Sequence, residues 1–262
     1  MHCKICRAPA DHFDAVDFAK NCCEPAGLVL PRTGRTVTYL RCGACGFIFT
    51  TFCDDFTSAD FAREIYNADY ARVDPLYPAI RPAANARLLR EVLADAWGLA
   101  APPRLLDYGA GAGVIAGLLG DRAVVRSYDP FSAEHAARPE ARAEIVFSAE
   151  VIEHVTDPLA TLGAMRDLLA PGGVMLFSTM VPPADIAVMR AAWWYLSPRN
   201  GHVSIYTHRA LEVACAQTAL RYTALSDEWH LAEHRDAPCA VLDRDALGAI
   251  VTRLPTGFVV VE

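Results

Sequence analysis

From Arg104 onward, short apolar runs alternate with stretches whose apolar residues recur every three or four positions. Leu105-Leu106, Ala123 to Tyr128, Ile145-Val146-Phe147-Ser148 and Val174 to Ser178 read as strands. Val114 to Leu119 reads as a helix, and Leu159, Leu162, Met165, Leu168 and Leu169 form the apolar face of another. Pro171-Gly172-Gly173 marks a turn into the last of those strands. Strands alternating with helices predict an α/β, doubly wound domain, its parallel sheet covered by helices on both faces. The late run Gly257 to Val261 reads as a final strand, consistent with a sheet that closes on an antiparallel edge. Ahead of this domain, residues 57–99 read as helical, a segment placed to act as a lid. Ala86, Leu88, Leu89, Val92, Leu93, Ala96 and Trp97 form one stripe there, ended by Gly98 and Pro102-Pro103.

The first 53 residues follow a different pattern. They hold seven of the nine cysteines and two β-like runs, Thr36 to Leu40 and Phe47 to Thr50. Cys3-x-x-Cys6 and Cys42-x-x-Cys45 are paired knuckles separated by 35 residues. Each CxxC turn presents two thiolates toward one point, and zinc takes four such ligands in a tetrahedron. Cys3, Cys6, Cys42 and Cys45 are therefore the expected ligands of a structural zinc ion. A four-cysteine site is closed, with no position for water or substrate. The predicted organisation is a small zinc-ribbon-like module over 1–56, the helical segment over 57–99, and a cofactor-binding domain over 100–262.

Composition narrows the function classes. With 53% hydrophobic and 21% charged residues, the 262-residue chain can bury a full core. No apolar run approaches the roughly 18–20 residues that span a bilayer, and the start lacks the apolar region of a signal peptide. A cytoplasmic protein without membrane contact is expected. The formal net charge of −7, without Lys/Arg clusters in the head, argues against nucleic-acid partners. Nothing in the pattern indicates the oligomeric state.

The chemistry concentrates around Leu105-Leu106-Asp107-Tyr108-Gly109-Ala110-Gly111-Ala112-Gly113, a strand running into a glycine-rich turn and then a helix. Glycines let the backbone turn sharply and approach a ligand closely. Asp129 follows Gly113 by 16 residues at the end of the next strand, where a carboxylate can accept both hydroxyls of an adenosine ribose. This much fits dinucleotide dehydrogenases and methyltransferases alike. The spacing GxGxG rather than GxGxxG, the acid Asp107 two residues before the first glycine, and the segment Glu150 to Pro158 tip the balance.

With these motifs the chain resembles the class I S-adenosylmethionine-dependent methyltransferases. D-x-G-x-G-x-G matches their first motif and Tyr128-Asp129-Pro130 the second. E-V-x-E-H-V-x-D-P, at 150–158, and L-L-x-P-G-G, at 168–173, follow in order. The head, followed by Tyr66, Tyr70 and Tyr77, is similar to a bacterial subgroup with a zinc-binding N-terminal module. The resemblance implies a Rossmann-like methyltransferase sheet with S-adenosylmethionine along Asp107, Gly109, Ala110 and Gly111. It also implies ribose hydroxyls on Asp129 beside Pro130, the sulfonium bordered by Ala149 and Glu150, and Tyr70 at the cofactor. One departure stands out. Fifteen residues separate Asp129 from Ile145, where relatives fit a helix, a third strand and an adenine-contacting acid. That strand is expected to be short or missing.

Methyl transfer is an in-line displacement at an already activated carbon, so a base is needed only where the acceptor carries a proton. Glu153 and His154 after the fourth strand, and His202, Tyr206 and His208 in a later loop, are the candidate bases. Glu153 and His154 also read as a solvated first helical turn. Trp193 and Trp194 read either as acceptor-pocket walls or as core residues of a helix beginning near Ala184. His202 follows a glycine turn instead of lying on an apolar stripe and is favoured over His208. Glu150, Glu153 and His154 match an E-x-x-E-H pattern associated with divalent metal in ubiquinone-pathway O-methyltransferases. The pattern also occurs widely without one, and no second metal is expected. The expected function is methyl transfer to a small-molecule acceptor such as a sugar or another secondary metabolite. A ribosomal RNA methyltransferase with a zinc head and a non-catalytic interaction protein are the alternatives.

Overall fold

A computed structural model describes residues 1–99 and 101–254. In the head, β1 (Ala10–Asp17), β2 (Thr36–Cys42) and β3 (Ile48–Thr50) pair antiparallel. Helices α1 (Ser58–Glu64), α2 (Tyr70–Val73) and α3 (Ile80–Glu91) follow, the last widening into a π-turn over Val92–Ala96. A capping box between Thr57 and Asp60 starts α1. Of the expected stripe, Ala86, Leu88, Leu89, Val92, Ala96 and Trp97 are buried.

The main sheet contains β4 (Arg104–Tyr108), β5 (Val124–Tyr128), β6 (Ala143–Ala149) and β7 (Leu169–Ser178), all parallel. Helices α4 (Val114–Leu119) and α5 (Pro158–Leu168) lie within their crossovers. The central strands read as unbroken apolar runs because both their faces are covered. Strand alternation then sorts neighbours into separate cores. Leu106, Val146, Met175 and Phe177 pack with α5, while Leu105, Ile145, Phe147, Val174 and Leu176 pack with α3. Pro171-Gly172-Gly173 forms a bulge inside β7: Ala143 pairs with Leu169 and Ile145 with Val174.

No strand lies between Tyr128 and Ala143, so β5 is the sheet's edge among the described residues, in line with the shortened connection. At the other side the order runs β7, β10 (Trp229–His234), β9 (Leu220–Ala224), with β10 antiparallel to both neighbours. The antiparallel strand expected at 257–261 is thus supplied by Trp229–His234; residues 257–261 lie outside those described. Two short helices, α6 (Ile186–Met189) and α7 (His208–Gln217), flank the loop over 190–207, and α8 (Arg244–Arg253) closes the described chain.

The same loop contains β8 (Ser204–Ile205), the fourth strand of the head sheet. Ile48 pairs with Ile205 and Phe49 with Ser204. Cys3, Ile5, Phe47 and Phe49 share one core cluster with Leu106, Val146, Tyr206 and Leu211. Head and sheet are therefore joined by buried contacts as well as by the chain. No helix among the described residues is long and apolar enough to cross a membrane.

Candidate active site and metal centre

The two knuckles meet. Cys3, Cys6, Cys42 and Cys45 place their sulfurs within 4.8 Å of one another, with Cys3–Cys45 at 3.7 Å and Cys6–Cys42 at 3.3 Å. Thiolates about 2.3 Å from zinc in a tetrahedron stand roughly 3.8 Å apart, so the donor set fits that ion. Amides turn toward the sulfurs: Ile5 donates to Cys3, and Ala44 and Cys45 to Cys42. A hydrogen bond from Cys45 draws the Cys3 thiol down to about 5, while the same contact pushes Cys45 up. Cys22, Cys23 and Cys53 stand outside this cluster.

At the carboxyl end of β4 the chain turns through three left-handed glycines, Gly109, Gly111 and Gly113. Any side chain at Gly109 would drive into Val151, whose Cγ2 would lie 2.3 Å from the added carbon. Asp129 closes the turn: its Oδ2 accepts from Gly111 N at 2.9 Å and its Oδ1 from Phe131 N at 2.8 Å. Pro130 is exposed beside it. Asp107 is buried beneath the turn, and its Oδ2 has no hydrogen-bond partner. Burial, with Asp129 nearby, pushes its carboxyl up to about 7. An orphaned carboxylate oxygen under a glycine cradle is what a bound ammonium would satisfy, so the loop fits the methionine end of the expected cofactor. Tyr77, whose hydroxyl approaches Gly111, is the tyrosine against the loop. Tyr70, expected at the cofactor, is buried between Tyr66 and Tyr77, its hydroxyl 3.5 Å from the Asn200 carbonyl.

Beside Ala149 at the end of β6, Glu150 adopts a left-handed backbone, with φ of 55°. It lines a cavity with about 140 Å³ of free space together with Arg81, His154, Trp194, Asn200 and His202. Ser178 Oγ donates to Glu150 Oε1 at 2.9 Å, and Tyr195 Oη donates to its Oε2 at 3.0 Å. Tyr195 Oη also lies 2.8 Å from Oε1 of Glu153, which is fully buried. Burial raises both carboxyls; Arg81 opposes the shift at Glu150, and Glu150 adds to it at Glu153. Arg81 keeps its charge because a two-bond pair with Asp74, both at 2.9 Å, outweighs the cost of burial.

The histidines are neutral for the opposite reason. Burial lowers His154 to about 4 and holds His202 well below the usual imidazole range. Their rings meet edge to face at 4.9 Å. His202 Nδ1 lies 2.7 Å from the Tyr195 carbonyl, which only accepts, so Nδ1 carries the proton and Nε2 keeps its lone pair. Glu153, His154 and His202 each bring a ligand-type atom within 4.8 Å of the others. Burial keeps both imidazoles neutral, and Oε1 of Glu153 is engaged by Tyr195.

Two expectations are corrected. Tyr206 does not face an acceptor; it is fully buried against Phe47 and donates to the Ile152 carbonyl at 2.8 Å. Glu153 and His154 do not form a solvated first turn either, since they enter a buried single turn before α5. His208 lies away from the cavity, bonded to Tyr222 and Asp227. Trp193 is core and Trp194 is cavity wall.

A family model described as a methyltransferase domain matches residues 77–225, from Tyr77 through the glycine loop, the glutamates and the histidine loop. The chain belongs to the class I S-adenosylmethionine-dependent methyltransferases. The methyltransferase is 37% identical over 101 residues to a ubiquinone biosynthesis O-methyltransferase of Cereibacter sphaeroides, covering 29% of this chain and 41% of that one. It is 30% identical over 109 residues to the protein of that name from Parvibaculum lavamentivorans, covering 36% and 42%. The chain thus spans less than half the length of these curated relatives. Among solved structures, the Burkholderia thailandensis 1,6-didemethyltoxoflavin-N1-methyltransferase is 15% identical with a TM-score of 0.47, covering 78% of this chain and 95% of that one.

Within this candidate site, sequence reasoning missed Arg81 and Ser178, and it gave Tyr195 and Tyr77 no partners. Tyr195 stood in the aromatic run 193–195, but no spacing rule links it to glutamates 42 and 45 residues earlier. Arg81 and Ser178 sit inside an apparently ordinary helix and strand.

Proposed function

We propose that this methyltransferase carries the methyl group of S-adenosylmethionine to a hydroxyl of a small, ring-sized acceptor, with His202 as the base. The observation that supports this most is the cavity beside Glu150. Its free space of about 140 Å³ is lined by a neutral histidine with a free Nε2 lone pair, an indole face and a carboxylate. A cavity of about 150 Å³ is known to accommodate benzene, so one ring is the right scale. Four polypeptide groups supply what the reaction requires of the protein. Asp107 and Asp129 hold the cofactor's two ends, Trp194 shields the reacting carbon from water, and His202 Nε2 takes the acceptor proton. S-adenosylmethionine supplies the activated methyl group. The cysteine centre holds zinc in a structural role.

The test is transfer from methyl-labelled cofactor to monocyclic phenols, sugars and cell extracts, with and without nuclease treatment. Label in a small-molecule fraction that survives nuclease supports the reading. Label that disappears with nuclease would move it to a ribosomal RNA methyltransferase, and absence of transfer to any fraction despite cofactor binding would leave a binding protein.

A further inference from the structure

Three oxygen-bearing groups, of which Glu150 lines the acceptor cavity, meet at hydrogen-bond distance, and with both carboxyls charged they would hold too few protons for their contacts. Tyr195 Oη lies 3.0 Å from Glu150 Oε2 and 2.8 Å from Glu153 Oε1. A phenol has one proton to donate. Were both glutamates ionised, one of these short contacts would set lone pair against lone pair in a buried site. One carboxyl must carry a proton. The surroundings say which. Glu150 accepts from Ser178 Oγ, and the Arg81 guanidinium, itself backed by Asp74, lies near it. Among the described residues Glu153 forms no ion pair with Lys or Arg within 4 Å: its titratable neighbours are Tyr195, Glu150 and the neutral His154, 3.7 Å away at Nε2. His202, Tyr66 and Tyr206 complete the titratable groups around the pair. Oε2 of Glu153 is buried without a partner, an arrangement that a neutral acid tolerates far better than a carboxylate.

We propose that Tyr195 is a positioning residue that bridges Glu153 and Glu150 with a directed pair of hydrogen bonds, from the protonated Glu153 to Tyr195 and from Tyr195 to an ionised Glu150. The bridge presents a single carboxylate to the acceptor cavity and holds it in place on a left-handed backbone. The amide of Met180, 3.3 Å from Tyr195 Oη, also donates to that oxygen, which favours the same direction of the hydroxyl, and Thr179 Oγ1 lies 3.4 Å away. The role in acceptor chemistry rests on the reading of the cavity as the acceptor site; the shared proton does not.

Infrared difference spectroscopy on the whole chain at neutral pH reads the proton directly. The expected result is a carbonyl stretch of a protonated carboxylic acid that is lost in Glu153→Gln and retained in Glu150→Gln. Its absence from the wild-type spectrum, or its loss only in Glu150→Gln, overturns the bridge. Tyr195→Phe removes one donor from the ionised Glu150, so the infrared titration of the Glu150 carboxylate, identified by its loss in Glu150→Gln, should move to higher pH by about one unit, the scale of one hydrogen bond to a charged group. An unchanged Glu150 titration in a folded Tyr195→Phe overturns the positioning role. If that variant does not fold, the wild-type and Glu153→Gln spectra still decide. A band with the expected behaviour in a chain that methylates no ring-sized acceptor would support the bridge and sink the acceptor reading instead.

Discussion

The Tyr39 hydroxyl donates to the carbonyl of His202 at 2.7 Å, so a buried residue of the head fixes the backbone of a histidine that lines the cavity beside Glu150. Neighbouring bonds act the same way. Thr50 N donates to the Val203 carbonyl at 3.0 Å, and Thr207 Oγ1 donates to that of Cys45 at 2.6 Å. Cys22 and Cys23 stand in the cavity wall itself. The head completes the pocket as well as folding beside it.

Purified, reduced protein should therefore contain about one zinc per chain, and its removal should be felt at the pocket. Zinc in small modules contributes roughly 10–16 kcal/mol of apparent affinity that appears as folding energy. Strong chelation is expected to raise amide exchange across residues 1–53 and across 203–205. Affinity for S-adenosylhomocysteine should stay within about threefold, because the glycine loop rests on β4 and β5. Metal analysis that finds no zinc would remove the ion from this account. Exchange confined to the head would show that β8 holds without it.

With Asp107 as the proposed partner of the cofactor's ammonium, cofactor affinity should depend on pH. In the free protein its carboxyl titrates at about 7. A bound ammonium favours the ionised form, so affinity should rise as pH increases through that value and binding should release a proton below it. For stability the sign is opposite. A folded value above the unfolded one means this group stabilises the free protein most at low pH, with the contribution lost as pH rises through about 7. Calorimetry of S-adenosylhomocysteine binding in buffers of different ionisation enthalpy reads the proton count. Asp107→Asn should flatten the dependence, and a flat wild-type profile would contradict the assignment.

Asp129→Ala should weaken cofactor binding by about 1–3 kcal/mol, the scale for hydrogen bonds to a charged group. Part of that loss is indirect, since Asp129 also anchors the Gly111 amide. Asp129→Asn preserves an acceptor for that amide while weakening the pair of ribose bonds, so it should fall between wild type and alanine. Equal dissociation constants for all three would show that the ribose is held elsewhere.

Much of this site is legible from the chain because its signals are local. Buried parallel strands leave unbroken apolar runs such as Ile145-Val146-Phe147, left-handed turns call for glycine, and knuckle cysteines come three apart. What escapes is the pairing of distant polar groups. The two-residue β8 carries no periodicity, yet it joins the head to the pocket. Strands β9 and β10 mix charge with apolar residues because Glu233 is buried against Arg221 and Arg244. Tyr206 and His202 look alike in sequence, both polar and near a glycine turn. Their partners separate them, a carbonyl that consumes the Tyr206 hydroxyl and one that leaves His202 Nε2 free.

His202→Ala is the sharpest test of the proposed chemistry. The side chain is 5% exposed and lines the cavity. Its Nδ1 is committed to the Tyr195 carbonyl, which orients Nε2 as an acceptor for a substrate proton. Loss of a general base costs roughly 10²–10⁴-fold in turnover, and that range is expected here. Cofactor affinity should change little, since the bonds of His202 run to the Tyr195 carbonyl and those of Asp129 to the amides of Gly111 and Phe131. The pH dependence supplies an independent check. Burial holds the imidazole well below its ordinary value, so the base stays neutral on acidification until far below 6.5 and activity falls only as it finally charges. In unfolding, the sign is the same. The unfolded chain takes up this proton first, so stability declines as pH drops below about 6.5. Turnover near wild type in His202→Ala, with the protein folded and cofactor bound, would make His202 a structural residue and pass the base to Glu153 or His154.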